Sequence, residues 1–187
     1  GYNTACGYQA LTTATSGDNN TALGFAALYS TTTGNANTSV GAYANDNNTT
    51  GHSNVAVGRN SLGSNVTGSG NTAIGTSALL NNTASNNCAV GVESLEQNTS
   101  GTENAAFGSY SLDANTTGIN NTACGFAALG ANTTGNHNTS VGNRSLVNAT
   151  TASHNTAVGE ATLYTNTTGA QNTALGTFAG YFNTTGT

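Results

Sequence analysis

The chain has 187 residues and a formal net charge of −5, and charged side chains make up only 5% of it. Arg59 and Arg144 are its only basic residues besides histidine, which argues against a surface that follows a phosphate backbone. No apolar run approaches the roughly 18 residues that a membrane-spanning helix needs.

A five-residue phrase that begins with Asn and ends with Gly recurs along the chain, as in Asn71–Gly75. The copies are 17 residues apart, except for one interval of 16 between Asn71 and Asn87. Because the apolar residues keep fixed places in this period, we expect order rather than disorder, in one repeat array over residues 1–187. The copies begin at Asn3, Asn20, Asn37, Asn54, Asn71, Asn87, Asn104, Asn121, Asn138, Asn155 and Asn172.

Each repeat is numbered here from its Asn, so position 1 is Asn and position 5 is Gly in every copy. Positions 1–4 are short and rich in Thr and β-branched residues, which predicts a strand that bends at the Gly. A second short strand is predicted to end at position 9, which is Leu in nine copies. The polar Asn-Thr-Thr-Gly stretch then predicts a turn. We therefore predict an all-β fold, a parallel β-solenoid or β-roll of eleven coils of about 17 residues.

In such a stack, the column of position-1 asparagines is expected to form a ladder, because each amide can donate to one coil and accept from another. The Leu and Val columns are expected to make a narrow dry core. The residue missing from the 16-residue interval lies within Asn81–Asn86, on the turn side of the coil, where deletions are tolerated.

Strand alternation leaves two orientations open, because positions 3 and 4 point to opposite faces. Position 3 is always Ala or Ser, and position 4 is Val, Ile, Leu, Phe or Cys. If position 4 faces inward, a flat stripe of small residues is exposed. If position 3 faces inward, a long apolar stripe is exposed instead. Both arrangements favour side-by-side partners, the second more strongly.

Three cysteines are present, and two of them, Cys6 and Cys124, occupy position 4. Each is expected to be a small buried hydrophobe. They are seven coils apart, roughly 34 Å at about 4.8 Å per coil, so no disulfide is expected between them. Cys88 lies at position 2, and no cysteine pair has a metal-binding spacing.

The phrases Asn-Thr-Ala-Val-Gly at 155–159, Phe-Ala-Ala-Leu at 25–28 and 126–129, and Asn-Thr-Thr-Gly carry a resemblance. They resemble the Asn/Thr/Gly-rich repeats of bacterial and phage surface fibres. The phrase ending in Gly is also similar to the head repeat of trimeric autotransporter adhesins, although those heads use shorter repeats. The resemblance implies a left-handed β-roll, a surface location and assembly as a trimer.

The charged residues are scattered over different coils and positions, so no pair recurs that would set up acid–base chemistry. We expect no enzyme activity and no cofactor. Glu160 and Arg144 are predicted to form a surface pair on the second strand, which contributes little. His137 and His154 share position 17 of adjacent coils, and Glu103 lies further along that column. We interpret them as exposed turn histidines rather than a metal site.

Several aromatic residues share position 6 or 7. They could stack on sugars, or they could cover the ends of the second strand or a subunit contact, and we favour this second interpretation. They are Tyr8, Phe25 and Phe126 at position 6, and Tyr43, Tyr110 and Phe178 at position 7. Position 12 repeatedly begins a glycosylation sequon, and the alternative interpretation is simply a good turn. The sequon asparagines are Asn48, Asn65, Asn98, Asn115, Asn132, Asn166 and Asn183.

We interpret the chain as a structural or adhesive segment of an extracellular fibre, at a cell or virion surface. The first and last copies keep most of their column residues, so we expect further pairing end to end. The alternative is a ligand-binding solenoid, either a glycan-binding adhesin head or an ice-binding face on the position-2 threonines. The ice-binding interpretation ranks lower, because Val55, Cys88 and Ala105 interrupt that column.

Overall fold

The structure is a computed structural model that describes residues 1–186, and it contains one parallel sheet with one strand from each coil. Strand order in the sheet follows chain order from the first strand to the last, which confirms the parallel β-solenoid. The strands are β1 (Thr4–Cys6), β2 (Thr21–Leu23), β3 (Thr38–Val40), β4 (Val55–Val57), β5 (Thr72–Ile74), β6 (Cys88–Val90), β7 (Ala105–Phe107), β8 (Thr122–Cys124), β9 (Thr139–Val141), β10 (Thr156–Val158) and β11 (Thr173–Leu175).

Residues at the same repeat position lie directly opposite one another in adjacent strands. This register persists across the short interval, where Thr72 pairs with Cys88. The deleted residue is position 14, because Thr83 keeps the hydrogen bond of position 13 and Ala84 takes the place of the usual position-15 glycine. Counting along the sequence places Ser85 there, so the structure shifts that assignment by one residue.

Strand alternation is resolved with position 3 inward. Ala56, Ala73 and Ala106 are completely buried, whereas Ile74 and Phe107 at position 4 are 39% and 43% exposed. The expectation of a Val column in the core is therefore wrong. A coil of 17 residues is so narrow that only a methyl-sized side chain fits between the sheet and the opposite wall, and the Leu column of position 9 already occupies that wall.

The second strand predicted before position 9 is absent from residues 1–186, where positions 6–9 form turns. Positions 7 and 9 have left-handed backbone angles, with φ of 57° at Ser77 and 52° at Leu79. Two left-handed residues break the extended geometry of a strand. The backbone nevertheless stays paired between coils, since the Leu79 N–H donates to the Ser94 carbonyl at 3.0 Å. The Leu column of these turns is buried, as the sequence predicts.

The glycine at position 5 is required by close approach of the next coil. At Gly108 φ is 134°, and an added Cβ would lie 2.5 Å from the Gly125 carbonyl oxygen. Because every coil carries the same bend at the same height, any side chain at this position would meet the backbone of its neighbour. This explains why position 5 is Gly in each copy that another coil follows.

One coil interrupts the apolar core. In the coil of β3, Asn45 replaces Leu at position 9 and Ser39 occupies position 3, and both are completely buried. The amide oxygen and nitrogen of Asn45 and the hydroxyl of Ser39 have no hydrogen-bond partner. Buried apolar side chains accordingly form two separate clusters, one around Leu28 and one that begins at Ala44 and Leu62.

Candidate functional site

The position-1 asparagines form a hydrogen-bonded ladder inside the solenoid. The Oδ1 of Asn104 accepts from the backbone N–H of Asn121 at 3.0 Å, and its Nδ2 donates to the Gly118 carbonyl at 2.8 Å. The first bond joins neighbouring coils and the second closes the coil on itself. The same two bonds recur along the array, so this column holds both the pitch and the width of the rod.

The sequon asparagines at position 12 form a second buried ladder. Nδ2 of Asn115 donates to Asn98 Oδ1 at 2.8 Å and to the Gly118 carbonyl at 3.1 Å. Both ladders thus converge on the carbonyl at position 15. Six of the seven sequon asparagines are fully buried, the exception being Asn183. A glycan on these amide nitrogens would have to break the bonds of this second ladder, which argues against modification of the folded chain.

The second ladder is interrupted at Ala149, where no amide is present to donate to the preceding coil. The Oδ1 of Asn132, one coil earlier, is consequently buried without a partner. The coil of Ala149 also carries Ala152 in place of glycine at position 15. In the coils with asparagine at position 12, a Cβ on the position-15 glycine would lie 2.3–2.5 Å from that amide oxygen, which the coil of Ala152 lacks.

The outer face of the sheet, which we call the sheet face, consists of positions 2 and 4 of all eleven strands. It has a column of mainly threonine beside a column of apolar side chains, and it carries no Asp, Glu, Lys, Arg or His. The apolar column is partly or well exposed from Leu23 at 47% to Leu175 at 78%. A continuous uncharged stripe of this kind is typical of a contact surface.

All three cysteines lie on the sheet face, which for Cys6 and Cys124 corrects the expectation that they are buried. Cys6 and Cys124 are exposed at position 4, because that position points outward. Cys88 at position 2 is half-buried, and burial raises the pKa of its thiol. All three are free, as predicted for the pair seven coils apart.

A second threonine column, at position 13, was not singled out from the sequence. It is threonine in ten of eleven copies, and its hydroxyls donate to the next coil, as from Thr116 Oγ1 to the Thr133 carbonyl at 3.0 Å. The regular recurrence of threonine at position 13 is the signal by which the sequence could have identified this column. The position-2 column is less regular, because Val55, Cys88 and Ala105 interrupt it on the sheet face.

Aromatic side chains of positions 6 and 7 contact one another between adjacent coils. Phe25 stacks on Tyr8 with ring centroids 5.5 Å apart and packs edge-on against Tyr43 at 5.1 Å. Tyr110 and Phe126 form a similar edge-on pair at 5.7 Å. These contacts cover part of the turn surface beside the sheet.

A further aromatic group, at position 10, was missed by the sequence interpretation. The rings of Tyr164 and Tyr181 stack in parallel at 5.0 Å, and Phe178 packs edge-on against Tyr181 at 5.6 Å. These residues line an open cavity of about 190 Å³ together with Arg144 and Glu160. Arg144 and Glu160, which the sequence places on a second strand, therefore both line this cavity from turns.

The two histidines at position 17 stack face to face, with centroids 4.9 Å apart. Both His137 and His154 are exposed, as the turn interpretation predicts. Within residues 1–186, no group of three or more His, Cys, Asp or Glu side chains is placed to hold a metal ion. Glu103 does not join the two imidazoles in such a group.

The acidic side chains of adjacent coils approach one another at one place. Partial burial, followed by the charges of Glu96 and Glu93, raises the pKa of Asp113 to about 6. One Asp113 carboxylate oxygen is buried without a hydrogen-bond partner. Burial also raises the pKa of Asp46 at the same position of an earlier coil. This arrangement costs stability when the carboxylates are ionised.

Residues 1–186 include no helix with the length and apolar character needed to cross a membrane. Comparison of the chain with protein-family models, curated proteins and solved structures found no match.

Proposed function

We propose that this chain is a structural segment of an extracellular fibre at a cell or virion surface, which associates with further copies through its sheet face. The observation that carries the proposal is the uncharged sheet face with its exposed apolar column. An apolar stripe along a whole rod is unfavourable in water and is stabilised when a second surface covers it.

The dimensions of the sheet face suit such a contact. Eleven strands at about 4.8 Å give a length of roughly 50 Å, and three residues per strand give a width of roughly 10 Å. Each copy would bury about 500 Å², or about 1,000 Å² in total, which is near the lower bound for a specific interface. The aromatic and aliphatic side chains of position 4 supply the apolar part of this area.

Charge also favours association through this face rather than another. All acidic and basic side chains lie at other positions, mainly 6, 7, 10, 16 and 17, on the turns. Two copies that meet through their sheet faces therefore keep the net charge of −5 per chain away from the contact. Contact through the turns would bring like charges together.

The array also supports growth along its axis. The register between β1 and β2 is the same as that between β10 and β11, so each coil offers its neighbour the same set of backbone groups. Further coils or a second copy can pair by the same bonds. Few charged residues and abundant Asn, Thr and Gly suit an extracellular setting, as in the surface-fibre repeats that the chain resembles.

Sedimentation velocity and negative-stain micrographs test the proposal. The wild-type chain is expected to form oligomers or filaments, and the double variant Ile74→Lys/Val90→Lys is expected to lose lateral association, because it places unpaired charges in the contact. Thr117→Lys, on an exposed turn, is the matched control. A wild-type protein that stays a single monomer at high concentration would overturn the proposal.

A ligand-binding solenoid is the second candidate, and the cavity near Arg144 and Glu160 is the observation that favours it. An ice-binding face is supported less, because three non-threonine residues interrupt the position-2 column. A thermal-hysteresis assay distinguishes ice binding from both other functions.

A further inference from the structure

The cavity owes its existence to a small residue between two large ones at position 7. Arg144, Ala161 and Phe178 occupy this position in three successive coils. Since coils are about 4.8 Å apart, the two large residues stand roughly 10 Å from each other with the alanine methyl as the floor between them. Ala161 is 7% exposed, and the rings of Tyr164 and Tyr181 form one wall.

Alanine occupies position 7 in two other coils, where a phenylalanine precedes it at position 6. Next to Ala26, Phe25 at position 6 packs edge-on against a tyrosine of the adjacent coil at 5.1 Å. Next to Ala127, Phe126 does the same at 5.7 Å. At Ala161 the preceding residue is Glu160 instead of phenylalanine, so a carboxylate stands beside the cavity in place of a ring. We call the cavity over Ala161, with Arg144 and Glu160 in its lining, the open notch.

The open notch combines surfaces that few ligands match at once. The tyrosine and phenylalanine rings offer apolar faces, the Glu160 carboxylate only accepts hydrogen bonds, and the Arg144 guanidinium only donates them. Hydroxyl groups donate and accept, so a ring with one apolar C–H face and several hydroxyls satisfies every part of this lining. Both charged side chains are exposed and accessible to such a ligand.

We infer that this notch is a subsite for a neutral pyranose, such as one hexose unit of a glycan, stacked on the aromatic wall with its hydroxyls on Glu160 and Arg144. A neutral sugar is favoured over an acidic one, because the two rim charges balance and the chain as a whole carries −5. The subsite lies on the turns, away from the sheet face, so it does not depend on the fibre proposal.

The test is a titration of the ¹⁵N-labelled chain with the methyl glycosides of glucose, galactose and mannose, followed by amide chemical shifts. At least one glycoside is expected to shift the Ala161 and Phe178 amides, with a Kd on the order of millimolar for a shallow single-sugar site. Glucuronate is expected to bind more weakly than the best neutral glycoside. Tighter binding of glucuronate, or no shift at these amides with any sugar, would overturn the inference.

Substitutions at Glu160 distinguish loss of sugar binding from loss of the fold. Glu160→Phe copies the Phe-Ala pair of the coils of Ala26 and Ala127, so it is expected to keep the wild-type circular dichroism and unfolding midpoint while binding falls at least tenfold. Glu160→Gln keeps the notch open and is expected to weaken binding several-fold through loss of the charge-assisted bonds. Phe126→Leu, next to Ala127 and two coils away from Ala161, is the control that should leave affinity unchanged. Wild-type affinity in Glu160→Phe would contradict the assignment.

The titration is repeated in the Ile74→Lys/Val90→Lys background, which carries its charges on the sheet face. Binding retained there shows that the subsite acts without lateral assembly. Loss of binding in that background, with the fold intact, would show that the sugar contacts an assembled surface and would overturn a subsite within one chain.

Discussion

Replacement of Asn45 by Leu is expected to stabilise the solenoid. Asn45 is completely buried in the Leu column, and neither of its amide atoms has a hydrogen-bond partner. A buried polar group without a partner costs about 1–3 kcal/mol. A buried leucine in its place adds about 2 kcal/mol of apolar transfer. It would also join the two core clusters that the coil of β3 now separates.

Backbone conformation opposes part of this gain. Asn45 has φ of 50°, in the left-handed region that asparagine tolerates better than leucine, a difference of about 1 kcal/mol. Leucine can adopt this conformation in the solenoid, because Leu28 and Leu62 have φ of 51° and 55° at the same position in the neighbouring coils. The net expected stabilisation is therefore about 2–4 kcal/mol.

Hydrogen exchange provides the appropriate assay, because repeat arrays open locally and one unfolding midpoint can average over many coils. The Leu28 N–H bonds to the Ala44 carbonyl, and the Asn45 N–H bonds to the Ser61 carbonyl. Protection of these amides should rise by one to three orders of magnitude in Asn45→Leu. The reverse change, Leu62→Asn, should lower protection of the adjacent coils comparably.

An unchanged or lower protection in Asn45→Leu would refute the reasoning. It would mean that the amide finds partners inside the coil or that the left-handed backbone outweighs the apolar gain. Ser39→Ala separates these outcomes, since it removes the other unpartnered polar atom of the coil without any change at the left-handed residue.

Three other changes test the ladders, the close approach of the coils and the acidic group. Asn104→Ala should destabilise by about 2–4 kcal/mol in urea unfolding, because it leaves the buried Asn121 N–H without an acceptor and removes one of the two bonds to the Gly118 carbonyl. The exposed Asn143→Ala should change stability by less than about 0.5 kcal/mol. Gly108→Ala should lower the free energy of unfolding by at least about 3 kcal/mol. The loss should exceed that of Gly176→Ala, where an added Cβ meets nothing within 4 Å. Equal losses would mean that backbone strain alone requires the glycine. Asp113 has a folded pKa of about 6 against an ordinary 3.8, so the free energy of unfolding falls as pH rises between these values. Asp113→Asn should remove this pH dependence and add about 1 kcal/mol of stability at pH 7 after screening. An unaltered pH dependence of the thermal melts would contradict the assignment.

The period of the sequence predicts much of this structure. Asn71, Asn87 and Asn104 stack in successive coils, and the leucines of position 9 form the buried column, because identical residues at a fixed interval can satisfy one another only when the coils are in register. The sequence also locates the deletion on the turn side, since the strands must keep their pairing partners.

The period does not predict which face of each strand points into the core. A pattern of alternating small and large residues fits either face of a strand, so the sequence leaves Ala73 and Ile74 equivalent as core candidates. The width of the closed coil decides between them, because the Leu column leaves room only for a methyl group at the sheet. Exposure of Cys6 and Cys124 follows from that choice.

The turns were likewise predicted only in part from the sequence. Repetition of Leu at position 9 is visible in the sequence, but the left-handed backbone that replaces the expected second strand is imposed by the need to close 17 residues around that leucine. The open notch at Ala161 likewise depends on which side chains of three different coils stand side by side. By itself, the sequence determines which residues are alike and how often they recur. Only the closed coil decides which way each side chain points, because its interior space and the backbone of the next coil select among the allowed conformations.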